Sequence, residues 1–392
     1  MFQYKEKAPH VALITLKPVS NVVGGVEKVF CSMASELELL GYNVSALMFD
    51  KSVEGASDYS TDAKFINFYS KAKHSFVFQK PWSSLFTISL NKNKRWFKKI
   101  NYFGQWQADC LNLVLQRLPH VDIFVCFQIE VAYILKKFLR TQIPVITMIH
   151  NHPSASVNKI VQCRDYLKQT EGIQVLIPSY ISQIQTLLPD VPVYSIPNAV
   201  PKLTLQMDYS RQTIVSTSRV SKPKRPDLLI SASSLLKEQY QDWKFEWWGP
   251  LQDGEIYNSL LKQKNVKDYF LLPGKTTDVS SKLESASIYA FPSSSEGFPL
   301  SLTEAMAAGL PVVGCKDCEA VRTLIKDGVN GFLVDPDPQE LANALERLMK
   351  SAELREKLGK QAKEDMKAYA PEVVWGMWDD LIQKVIRENR SK

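Results

Sequence analysis

The sequence predicts an α/β protein built in two halves, each a parallel sheet flanked by helices. Three observations predict it. Short β-rich apolar runs alternate with segments of helical period, the order that sets parallel strands beside crossover helices. The alternation restarts after residue 200, past the stretch Pro197–Pro201. Residues 292–310, PSSSEGFPLSLTEAMAAGL, pass from a strand end through a polar loop into a helix start. That arrangement gives a parallel sheet a ligand site at its carboxyl edge.

The elements follow in order. His10–Leu16 reads as the first strand, and Val26, Val29, Phe30, Met33, Leu37 and Leu40 recur at helical spacing before Gly41 ends the helix. Val44–Phe49, Asp122–Phe127, Pro144–Ile149, Val175–Ile177 and Val193–Ile196 read as further strands. In the second half, Thr213–Thr217, Lys244–Trp248, 269–272, Ser287–Phe291, 311–315 and 331–334 read as strands. Helices are predicted over 227–239, 254–264, 279–286 and 338–350, with another beginning after Pro299. Asp335 and Asp337 have the spacing of a divalent-ion pair, but Pro338 opens a helix, so Asp337 reads as its N-cap. Val374, Trp375, Trp378, Leu381, Ile382 and Val385 share one face of a helix over 371–389, a core-facing stripe.

Composition excludes several classes. With 392 residues, 45% apolar and 23% charged, the chain is ordinary globular material long enough for two or three domains. No run of 18 apolar residues occurs and the N-terminus lacks a small-residue cleavage site, so neither a spanning helix nor a signal peptide is read, and a cytoplasmic location is expected. Six scattered cysteines fit reduced thiols rather than a disulfide framework. Cys315 and Cys318 form a single C-x-x-C pair without a second, so neither zinc nor redox chemistry is read there.

Glu296 and Glu304 flank the segment that begins Gly297-Phe298-Pro299-Leu300-Ser301. Free N–H groups at a helix start suit phosphate, and carboxylates on either side suit sugar hydroxyls. This stretch resembles the Glu-x7-Glu region of retaining glycosyltransferases of the GT-B fold, glycosyltransferase family 4 (glycosyl transferases group 1). Other segments match that family in order. Gly24-Gly25-Val26-Glu27 resembles its glycine loop, Ile196-Pro197-Asn198-Ala199-Val200 its hinge, Val215–Val220 with Lys224 its strand-Arg-x4-Lys element, and Gly328–Val334 its late turn and strand.

The resemblance implies two Rossmann-like domains whose parallel sheets face each other across a cleft, with the C-terminal helix crossing back. The N-terminal acceptor-binding domain would be 1–199, with 372–392 packing on it, and the nucleotide-sugar-binding domain 200–371. It implies that Arg219 and Lys224 contact the donor diphosphate and the leaving phosphate, Arg bidentately and Lys as a point charge. Glu304 would accept the ribose hydroxyls and Glu296 would lie near the sugar 3- and 4-hydroxyls. Backbone N–H groups of Phe298, Leu300 and Ser301 would reach sugar and phosphate oxygens, with Gly297 and Pro299 in the same donor-binding loop. Gly24 and Gly25 would lie over the diphosphate, Gly274 and Lys275 would form the base-contacting turn, and His150 would contact the donor sugar. His152 is the neighbouring alternative to His150, and Arg225 competes with Lys224. Cys318-Glu319 replaces the family's usual Gly-Gly.

The implied reaction is transfer with retention from a UDP-sugar by front-face attack, with no cofactor and no metal. The implied product is a bacterial surface glycan: lipopolysaccharide, capsule or a teichoic-type polymer. From residue 63 to 108 there is no Asp or Glu, while Lys71, Lys73, Lys80, Lys98 and Lys99 interleave with Phe76, Phe78, Trp82, Phe86 and Trp96. Such a stretch suits a lipid-linked acceptor or peripheral contact with the inner face of an anionic membrane, or else a solvated edge with aromatics in the core. No recognition motif accompanies the charge, so nucleic acid is not read as a partner. Two other readings share the pattern: a GT-B nucleotide-sugar epimerase, and a non-catalytic glycan- or partner-binding module.

Overall fold

The computed structural model describes residues 8–18, 24–50, 64–69, 92–252 and 254–391. It divides into two compact units, Met1–Pro197 with Val374–Lys392, and Asn198–Val373. The first holds a parallel sheet of β1 (His10–Thr15), β2 (Asn43–Met48), β3 (Lys64–Asn67), β4 (Ile123–Cys126), β5 (Val145–Met148), β6 (Gly172–Val175) and β7 (Val193–Ser195), in the order β3-β2-β1-β4-β5-β6-β7. The second holds β8 (Thr213–Thr217), β9 (Lys244–Trp248), β10 (Phe270–Gly274), β11 (Ile288–Phe291), β12 (Val312–Cys315) and β13 (Gly331–Val334), in the order β10-β9-β8-β11-β12-β13. All strand pairings among the described residues are parallel.

Central strands are buried on both faces, which is why they read as continuous apolar runs. All six residues of β1 are buried, including His10, whose ring nitrogens meet Ser45 Oγ at 2.9 Å and the His120 carbonyl at 3.1 Å. The second unit's core gathers Trp243, Phe245, Trp247, Tyr269 and Phe270. Each such large side chain contributes on the order of 2 kcal/mol through burial.

The helix Pro371–Arg390 buries Val374, Trp375, Trp378, Leu381, Ile382 and Val385, the stripe expected from the sequence. Polar ties hold it to the first unit. Tyr42 donates its hydroxyl to Asp379, Gln383 donates to Tyr42 at 2.8 Å, and Arg390 reaches Asp122 at 2.8 Å. Asp337 caps the helix Pro338–Lys350 as expected, its Oδ1 accepting from the N–H of Gln339 and Glu340.

Three differences from the sequence reading have physical causes. The strand expected at Val175–Ile177 is Gly172–Val175. Leu176 and Ile177 are buried beyond its end, and burial alone does not mark ladder pairing. Helix Ile129–Lys137 went unread because Ile129 and Val131–Lys136 are all buried, leaving no polar face to show a period. Within the basic, aromatic stretch, β3 and the helix Lys92–Leu115 form. Residues 70–91 of that stretch, and the side chains of Lys64 and 92–95, lie outside the described residues. Among the described ones, Lys98, Lys99 and Tyr102 are exposed, whereas Trp106 is buried and Phe97 packs on Tyr133.

Candidate functional site

In the second sheet the order of succession reverses between β8 and β11, which pair directly. At such a switch point the two following loops diverge and leave a crevice at the carboxyl edge. The loop after β8 carries Arg219 and the short turn Lys222–Lys224, and the loop after β11 carries Ser293–Pro299. The two are stitched together, since Ser294 donates its N–H and hydroxyl to the Pro223 carbonyl at 2.9 and 3.0 Å.

Lys224 and Glu296 meet in a direct ion pair, their side chains 17% and 13% exposed. Ser293 donates to the same Glu296 oxygen at 2.5 Å. One carboxylate oxygen is thus held by an ammonium and a buried hydroxyl. Arg225, the competitor for Lys224's role, is committed elsewhere. Its guanidinium grips Asp317 with two bonds of 2.9 and 2.5 Å, which raise its pKa further. Arg219 is exposed and forms no ion pair with a described acid.

Helix Leu300–Ala308 starts at Pro299 with no side-chain cap. The Pro299 carbonyl accepts from Leu302 and Thr303. Leu300 and Ser301 therefore present first-turn N–H groups without intrahelical acceptors. Glu304 lies on the second turn of this helix, half-buried. Phe298 anchors the preceding loop against Tyr369, ring centroids 5.4 Å apart. Tyr289, buried on β11, accepts from the Thr217 N–H at 3.2 Å, and the Ser301 hydroxyl also reaches it. Burial pushes its phenol up to about 12, so it stays protonated and ties the end of β8 to the helix start.

Gly274 and Lys275 close β10, with Gly274 at φ +92° and Lys275 exposed. The Gly274 carbonyl accepts from Gly249 at 2.8 Å. Cys315 and Cys318 are buried and free, and burial pushes their thiols up to about 12 and about 11.

The first unit holds the remaining candidates at the carboxyl edge of its own sheet. Gly24 is the N-cap of helix Gly25–Leu39 and donates no side chain to it. His150 follows β5 and stacks on Phe127, centroids 5.1 Å apart and planes 25° from parallel. Its Nε2 is shut from solvent without a hydrogen-bond partner. His152 instead caps the turn Pro153–Ala155, accepting from the Ser154 N–H. Desolvation first, and Lys17 second, pull the His150 pKa from 6.5 to about 3. His150 is therefore neutral, suited to donating or accepting one hydrogen bond rather than carrying charge.

That shift has a measurable consequence. Between pH 6.5 and about 3 the unfolded chain binds a proton that folded His150 refuses, so stability falls as pH drops through this window. His150→Asn is expected to flatten the slope, measured by urea unfolding at pH 7 and pH 5. A variant as acid-sensitive as the parent would contradict the assignment.

Sequence reasoning missed Ser293, Tyr289 and Asp317. Nothing in the run Ser293-Ser294-Ser295 distinguishes the serine that bonds Glu296, and Tyr289 read simply as strand core.

Residues 205–365 match the family model described as glycosyl transferases group 1. Over 371 residues the chain is 25% identical to the protein of Haemophilus influenzae named "Uncharacterized glycosyltransferase", covering 92% of this chain and 96% of that one. Three other curated relatives are matched over less than half of their own length. Among solved structures, sucrose-phosphate synthase from Thermosynechococcus elongatus superposes with a TM-score of 0.76 at 15% identity, covering 97% of this chain and 100% of that one. S. aureus TarM, solved as its G117R mutant with fondaparinux, α-GlcNAc-glycerol and UDP, superposes with a TM-score of 0.75 at 16% identity, covering 95% and 99%. The architecture is the GT-B type, two Rossmann-like units with parallel sheets.

Proposed function

We propose that this chain, whose residues 205–365 match the model of glycosyl transferases group 1 and whose fold is the GT-B type, moves a sugar from a nucleotide-sugar donor to a glycan or lipid-linked acceptor of the bacterial surface. The observation that carries this reading is the Lys224–Glu296–Ser293 cluster beside an uncapped helix start at the β8/β11 switch point. The donor is taken to be a UDP-sugar. TarM was solved with UDP and α-GlcNAc-glycerol.

In this reading Arg219, Lys224 and the N–H groups of Leu300 and Ser301 receive the diphosphate. These are fixed positive groups aimed where charge builds on the leaving phosphate, so they need no reorganisation as the bond breaks. They supply the charge compensation, and no divalent ion or cofactor is invoked. Glu304 takes the ribose hydroxyls, Gly274 and Lys275 the base, and Gly24 and Gly25 approach the diphosphate. Glu296, with Lys224 and Ser293 on one oxygen, suits a hydrogen-bond acceptor for the sugar's 3- and 4-hydroxyls better than a nucleophile. Neutral His150 suits a hydrogen bond to the sugar. The reaction is taken to be transfer with retention by front-face attack, as the family resemblance implies, with positioning and electrostatics doing the work. Exposed Lys98, Lys99 and Tyr102 suit an anionic lipid-linked acceptor presented at the inner membrane face. Among the described residues no helix is long and apolar enough to cross a membrane.

The test is a thermal-shift panel of nucleotide sugars, followed by hydrolysis and transfer assays of the best stabiliser. Acceptors would be offered free and on anionic vesicles. UDP-sugars are expected to stabilise most, and Glu296→Ala to lose turnover. Turnover by Glu296→Ala at the parent's rate would refute the site assignment. A new nucleotide sugar formed without acceptor would favour the epimerase reading.

A further inference from the structure

We infer that the segment Trp247–Gln252, and Gly249 above all, is a positioning device for Arg219. This rests on the proposed role of Arg219 at the donor diphosphate. Arg219 lies on a loop with an exposed side chain, yet the residues on both sides of it are held by one neighbouring segment. On one side, the Trp247 indole donates to the Ser218 carbonyl at 2.9 Å. On the other, the Val220 N–H donates to the Pro250 carbonyl at 3.0 Å and the Val220 carbonyl accepts from the Gln252 N–H at 2.9 Å. Val220 and Leu251 form an isolated parallel bridge. β8 and β9 thus continue to pair, in register, past their ends.

Gly249 makes this approach possible. A Cβ built there would lie 2.0 Å from the Ser218 carbonyl oxygen, 2.6 Å from its carbon and 3.1 Å from the Arg219 nitrogen. All three are backbone atoms, so no flexible side chain can swing aside. Any other residue must push the Ser218–Arg219 peptide away or retreat itself. Retreat would break the bond from the Gly249 N–H to the Gly274 carbonyl. The cost of such a shift falls on the reach of the Arg219 guanidinium, because bidentate phosphate binding tolerates little displacement.

A thermodynamic cycle separates positioning from general loosening. UDP affinity would be measured by calorimetry for the parent, Gly249→Ala, Arg219→Ala and the double variant. Each single change is expected to weaken UDP binding about tenfold or more, the size of one charge-assisted contact. The double variant is expected to bind no worse than Arg219→Ala alone, since Gly249 would act only through that side chain. Independent effects that multiply, or a Gly249→Ala protein that binds UDP like the parent, would overturn the inference. If Gly249→Ala does not fold, Trp247→Phe, which removes the donor to the Ser218 carbonyl along with part of a buried ring, is put through the same cycle, with the same outcomes deciding. A parent protein without affinity for UDP or for any other nucleoside diphosphate would overturn the donor-site reading itself, and this inference with it.

Discussion

Lys224→Met is expected to lower donor turnover by roughly 10²–10³-fold, the loss seen when one preorganised charge stabiliser is removed. The change acts twice. It deletes the cation that the proposed reading assigns to the leaving phosphate, and it strips Glu296 of its counter-charge. Glu296 is only 13% exposed, so its carboxylate would be left partly desolvated, with Ser293 still donating to it. Truncating one member of a fully buried pair costs about 3–5 kcal/mol, and the remaining exposure here lowers that to about 1–3 kcal/mol. Lys224→Met/Glu296→Gln should recover the stability, because no unpaired charge remains, but not the turnover. Calorimetry and steady-state kinetics on the three proteins decide it. Recovery of both together would mean that the pair is structural only, and that the donor phosphate lies elsewhere.

Arg355→Ala is expected to be the most destabilising single change in the second unit. Arg355 is 4% exposed and faces no carboxylate. Its Nε and Nη2 donate to the Tyr209 carbonyl at 2.9 and 2.5 Å, and Nη1 donates to the carbonyls of Leu348 and Met349 at 2.6 and 3.0 Å. The last two belong to the C-terminal turn of helix Pro338–Lys350, where Leu348 also accepts from the Ser351 N–H at 3.3 Å. The guanidinium also lies over Trp243 at 5.1 Å. Burial draws its pKa down, the sign of a desolvated cation held by dipoles rather than by an anion. Truncation leaves three buried carbonyls without this donor and opens a cavity, a combined cost of about 3–5 kcal/mol. At about 2–4 °C per kcal/mol for a unit of this size, the unfolding midpoint of this unit should fall by about 10 °C. A scanning calorimetry trace shifted by less than 2 °C would show that water replaces the guanidinium at no cost.

The parts of this protein legible in its sequence are those that local chemistry dictates. β1 and β11 carry continuous apolar runs, Val11–Ile14 and Ile288–Phe291, because they are buried on both faces. Asp337 before Pro338 declares a helix start, and the Trp375–Trp378–Leu381–Ile382 stripe declares a buried face. The spacing of Glu296 and Glu304 around a helix start was legible as well. Elements without contrast were not, as with helix Ile129–Lys137, apolar on nearly every side.

What the sequence by itself determined, then, was most of the strands, part of the helices and the set of residue types delivered to the sheet's carboxyl edge. Those depend on a residue and its near neighbours. Tertiary structure alone decided the pairings: Lys224 rather than Arg225 on Glu296, Arg225 on Asp317, His152 spent on capping while His150 stays neutral, and Gly249 pressed against the Ser218 peptide. Each brings together groups that chain order leaves unpaired, at distances where a tenth of a nanometre changes the energy by several RT. Such contacts depend on how two loops meet across a sheet edge, a relation that no local pattern encodes.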